Sequence, residues 1–84
     1  MARGHHNLKT ETEFFQEVER GLKKFEIRKN DRDFKQYDMV TLHEIVTVNG
    51  GFKFTNRTLG PFEIKYVFLG RQFGLEEGYC IFNW

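Results

Sequence analysis

The chain changes character within Gly21-Leu22-Lys23-Lys24-Phe25-Glu26-Ile27-Arg28. Before Gly21, apolar residues recur at helical spacing: Phe14, Phe15, Val18 and Leu22 lie on one side, with Glu11, Glu13, Gln16, Glu17, Glu19 and Arg20 on the other. After it the period is two, with Phe25 and Ile27 pointing one way and Lys24, Glu26 and Arg28 the other. An amphipathic helix therefore ends near Gly21, whose missing Cβ permits a sharp exit, and a strand begins at once.

Working back from this junction, Thr10 followed by Glu13 has the spacing of a capping box. The helix is expected to start there, after a short strand over His5 to Lys9. Working forward, Asn30 to Asp33 and Gln36 to Asp38 read as turns. Met39 to Val48 alternates, with Val40, Leu42 and Glu44 on one face. Asn49-Gly50-Gly51 is a hairpin signal, Phe52 to Thr58 is the returning strand, and Leu59-Gly60-Pro61 reads as punctuation before a strand over Phe62 to Leu69. Gly70 to Gly78 is a loop, and Tyr79 to Trp84 is a closing strand.

One helix followed by short strands, with no later helix to serve as a crossover, implies an α+β fold. The expected form is a small, mostly antiparallel β-barrel of about five to six strands with one main amphipathic helix, in a single domain spanning residues 1–84. Eighty-four residues leave no room for a second domain, and ten Phe, three Tyr and one Trp supply the apolar area that a short chain needs. No apolar run approaches the roughly 18 residues of a membrane span, and the start lacks a signal-peptide pattern, so a cytoplasmic monomer without membrane contact is expected. The single cysteine, Cys80, sits in strand-like surroundings and reads as a small buried hydrophobe.

Net charge is +1, too little for a protein that coats nucleic acid by charge alone. The distribution is uneven, however: residues 20–35 hold seven basic and three acidic residues. That mixture suits a local anion site. Within it Glu26 and Arg28 share a strand face about 6.5 to 7 Å apart, with Lys23 held near the helix end. Arg28 offers a rigid fork of donors, Lys23 a mobile cation and Glu26 an acceptor for amino or imino groups, the mixture that a nucleobase with its phosphate requires. The plainer alternative is a surface ion-pair network. Lys24, Lys29 and Lys35 read as solvated charges that together could follow a phosphate backbone, and Arg32 and Asp33 as a local pair. His6 and Lys9, on a first strand beside the motif strand, would stand at the mouth of the cleft. Tyr37, Phe34, Tyr79 and Trp84 are core aromatics or stacking surfaces for a base. No metal and no cofactor is expected, because adjacent histidines point apart on a strand and His5, His6, His43 and Cys80 show no ligand spacing.

Gly21 to Arg28 reads GxKxxExR, and this resembles the signature of ASCH domains, a branch of the PUA-like superfamily. His6, Leu8 and Lys9 are similar to the HxLK opening of a family of small bacterial and phage ASCH-like proteins of unassigned function, and Phe25 to Phe34 to its central block. Leu69-Gly70 with Gly74 to Tyr79 is similar to its closing segment. Tyr37 stands where that pattern has glycine, and the segment from Val48 to Pro61 has no counterpart in it. The resemblance implies a PUA-like barrel that recognises RNA or a modified nucleobase in the cleft, with Lys23, Glu26, Arg28, Lys9, His6, Lys29 and Arg32 as binding residues. It also implies an enzymatic alternative, since some ASCH-like proteins resemble amidohydrolases acting on N4-acetylcytidine. Lys23 matches their lysine, while Glu26 stands in place of their threonine nucleophile. Catalysis would then fall to Lys23 and Glu26, through activation of water or, as in a ribonuclease, of a ribose hydroxyl. A third reading is a protein-interaction adaptor that uses the Asn49 to Pro61 hairpin.

Overall fold

The computed structural model describes residues 3–84. The order is β1 (His5–Glu11), α1 (Thr12–Glu19), β2 (Phe25–Lys29), β3 (Met39–Val48), β4 (Gly51–Glu63), β5 (Tyr66–Leu69) and β6 (Tyr79–Asn83). The fold is mixed α+β, mostly strand with one helix, in two three-stranded sheets ordered β1-β3-β4 and β2-β6-β5. The β1–β3 pairing is parallel and the other three are antiparallel. Among the described residues no helix is long and apolar enough to cross a membrane.

Three boundaries differ from expectation. The strand expected over Phe62 to Leu69 is divided, its first residues ending β4 at Glu63 and its last forming β5 from Tyr66. Thr10 caps nothing: β1 continues to Glu11, which takes the cap position without a side-chain hydrogen bond, and Thr10 pairs in register with Glu44 of β3. Parallel pairing along seven residues outweighs the roughly 1 kcal/mol that a cap offers. Leu59-Gly60-Pro61 does not end a strand either. β4 runs through it as an edge of its sheet, accommodated by register shifts between Val40 and Leu42 and between His43 and Ile45. Gly60 is required there, since its φ is +109° and a Cβ would stand 2.8 Å from the Val40 carbonyl oxygen.

The helix exit follows the sequence closely. Gly21 takes φ +78°, its N–H donates to Val18 O, and the Leu22 N–H donates to Glu17 O, which closes the last turn in the Schellman pattern. Phe15 and Val18 are buried, while Phe14 and Leu22 are exposed. The core gathers Leu8, Phe15, Val18, Phe34, Val40, Leu42, Ile64, Cys80 and Phe82 between the layers. Trp84 packs against this core, stacked on Phe62 with ring centroids 4.9 Å apart. Burial pushes the Cys80 thiol above its ordinary pKa, with the charge of Asp31 adding to the effect, so Cys80 serves as packing.

Strand β2 turns Glu26 and Arg28 inward and leaves Lys29 exposed. Glu26 is buried, whereas Phe25 and Ile27 are 42% and 53% exposed. The register continues this outer face across the sheet, through Ile81 and Phe68 beside Ile27 and through Asn83 and Tyr66 beside Phe25. The helix packs on β1 and β3, the other sheet.

Candidate functional site

The inward face of β2 opens into a hollow of about 430 Å³ between β1, the start of α1 and the segment leaving the helix. Lys23, Glu26, Arg28 and Lys9 line it, with Thr10 and Phe14 among the remaining walls. The Glu26 side chain is only 7% exposed. Its Oε2 lies 3.3 Å from Lys23 Nζ and 3.6 Å from Arg28 Nε, while its Oε1 is buried and takes no hydrogen bond among the described residues. Lys23 Nζ donates to the Phe25 carbonyl at 2.7 Å and lies over the Phe25 ring, 5.0 Å from its centroid. Arg28 Nη2 donates to the Lys9 carbonyl at 2.7 Å and lies 3.4 Å from the Thr10 hydroxyl. The Schellman exit sets Lys23 and the alternation of β2 sets Glu26 and Arg28, so the three groups meet as their spacing requires.

This arrangement has a chemical consequence. A buried carboxylate oxygen normally finds a donor, and leaving it without one costs on the order of 1–3 kcal/mol. Two cations hold one Glu26 oxygen and leave the other buried without a donor, in a side chain that lines a partly apolar hollow. A ligand that presents an N–H to Oε1 and an electronegative group to Lys23 or Arg28 would satisfy every member.

The other expected residues separate into two places. Lys9 and Arg28 also line a second hollow of about 240 Å³, together with Lys29, Asp31 and Arg32. His6 does not reach the Glu26 hollow, which the other end of β1 lines through Lys9 and Thr10. Its Nε2 hydrogen-bonds Asp38 Oδ2 at 2.8 Å and its ring packs on Phe34, at the edge of a third hollow. Asp33 pairs with Lys35 at 3.3 Å and not with Arg32. Thr10 is the wall residue that sequence reasoning missed. Its alternation with Leu8 was the available signal, and the capping-box pattern concealed it. Among the described residues no group of His, Cys, Asp and Glu is placed to hold a metal ion.

Residues 5–84 match a family model described as a domain of unknown function, DUF3850. The chain belongs to this family. A search of curated proteins found no match. The match takes in β1 through Trp84, so the DUF3850 domain contains all three hollows apart from Arg3 and Gly4 at the rim of the third.

Proposed function

We propose that this DUF3850 domain is an ASCH-type, PUA-like module that binds RNA or a modified nucleobase in the Glu26 hollow. In this reading the two sheets are the halves of an open PUA-like barrel. The unpartnered Glu26 Oε1 carries the proposal: it is an acceptor built into the wall at a cost in stability, beside two donors of positive charge. A base edge bearing an amino or imino group fits Oε1, and Arg28 and Lys23 fit a carbonyl or phosphate oxygen. The second hollow, with Lys9, Lys29 and Arg32, then takes the phosphate attached to that base.

Titration of the isotope-labelled protein with nucleosides, mononucleotides and short RNAs tests this directly. Backbone amide shifts should cluster at Lys9, Thr10 and Lys23 to Lys29, and affinity for oligomers should fall steeply with salt. Glu26→Gln should reduce affinity about tenfold and change which base is preferred. Saturable binding without turnover of N4-acetylcytidine or RNA supports the module. Turnover abolished by Lys23→Ala would instead make the site hydrolytic. Absence of shifts with every ligand would remove the reading.

A further inference from the structure

The three hollows adjoin. The first and second share Lys9 and Arg28 as lining residues, and the second and third share Arg32, so they lie in a row that ends at the Asn30–Asp38 loop. The third holds about 530 Å³. Along β1 this row of hollows runs from Lys9 back to His6, roughly 10 Å at strand rise.

The charges along the row differ in availability. Lys35 is paired with Asp33, Arg3 with Glu63, and Asp38 is taken up by His6 and two backbone amides. Lys9, Lys29 and Arg32 form no ion pair among the described residues. All three line the middle hollow, with Asp31 as the opposing charge in its wall; Lys9 Nζ also lies over the Phe52 ring, 4.6 Å from its centroid.

Tyr37 stands at the far end and is hard to explain by folding. Its φ is +74°, a region unfavourable for a bulky side chain, and the ring is 55% exposed, so burial does not offset the strain. Its N–H donates to Ile64 O at 2.8 Å, a bond that glycine would make without strain. The fold requires this backbone conformation but gives no use for the ring that lines the third hollow.

We propose that the ligand is a single-stranded polynucleotide of at least two nucleotides, one base against Glu26, the linking phosphate over Lys9, Lys29 and Arg32, and the neighbouring base stacked on Tyr37. This rests on the reading of the Glu26 hollow given above and extends it from a base to a strand. Stacking on an exposed aromatic ring tolerates any base, so the Glu26 end selects and the Tyr37 end adds affinity.

The test compares a mononucleotide with tri- and hexanucleotides, in RNA and DNA arms that identify the sugar, by calorimetry on the wild type and on Tyr37→Gly, Arg32→Ala and Glu26→Gln. Tyr37→Gly keeps the backbone conformation and should fold at least as well as the wild type. The expected result is a gain of tenfold or more from mononucleotide to trinucleotide. Tyr37→Gly should remove that gain with mononucleotide affinity unchanged, Arg32→Ala should weaken mononucleotide and trinucleotide alike through the phosphate both carry, and Glu26→Gln should weaken every ligand. Equal affinity of the wild type for mononucleotide and trinucleotide would overturn the extension and leave the Glu26 site standing. A loss in Tyr37→Gly that is equal for all ligands would also overturn it. No binding of any ligand would remove both.

Discussion

Two buried acidic side chains on neighbouring parts of this small domain are treated very differently. Asp38 accepts from the Gly4 N–H at 3.0 Å, from the Lys35 N–H at 3.1 Å and from His6 at 2.8 Å, so both its oxygens are occupied by the fold. Glu26 has two cations on one oxygen and no partner among the described residues for the other. Glu44, the third buried carboxylate, resembles Asp38, with Thr55 donating to it and Arg57 beside it. A carboxylate that serves the fold is saturated by it. One left half-served, in a side chain that lines an open hollow, holds an acceptor that the fold does not use.

The largest effect expected from this contrast is at Asp38. Asp38→Ala strands two backbone donors and His6, for a loss of about 3 kcal/mol, and should lower Tm by at least about 12 °C in a calorimetric scan. A smaller loss than that of the matching Glu26 variant would break the comparison. The next effect is in acid. Burial works to raise the Asp38 carboxyl, but the hydrogen bond and charge of His6 and the amides of Gly4 and Lys35 hold it below its ordinary value. The stabilisation is therefore complete above the unfolded value near ~3.9 and is lost as pH falls through the depressed one. Urea midpoints from pH 5 to pH 2 should fall more steeply for the wild type than for Asp38→Asn.

Glu26→Gln ranks third, at about 1 kcal/mol, well short of the roughly 3–5 kcal/mol of a fully buried pair, since Lys23 and Arg28 are partly exposed and keep the Phe25 and Lys9 carbonyls as acceptors. Its stability should barely change while ligand affinity falls, and a large loss of Tm would mark Glu26 as structural. The smallest effect belongs to Ile27→Ser on the outward face of the same strand, under about 0.5 kcal/mol by denaturant midpoint. A greater cost there would mean that the outer face packs against something in solution.

How far the sequence foretold this molecule varies by element. The alternation of Val40, Leu42 and Glu44 was legible, and all three are buried. So was a hairpin at Asn49-Gly50-Gly51, although Gly51 already pairs with Val48 and only two residues form the turn, and so was the exit at Gly21, because each depends on local conformational limits. The approach of Lys23 and Arg28 to Glu26 followed from spacing along one strand. The extent of β1 and the passage of β4 through Pro61 were not legible, since both are decided by pairing with β3, distant in sequence. Period two in Lys24 to Arg28 showed that charged and apolar residues part company, but not which set turns inward. Likewise His6 was expected at the cleft because a neighbour of β2 was assumed, and no local signal states that β1 prefers β3.

Arg28 has two duties that oppose each other. Its guanidinium fastens β2 to the Lys9 carbonyl of the other sheet, and it is also the donor that an incoming anion would recruit. A ligand that draws this side chain away must undo a stitch between the layers, so occupancy of the hollow and the seating of one sheet on the other are tied to the same few atoms.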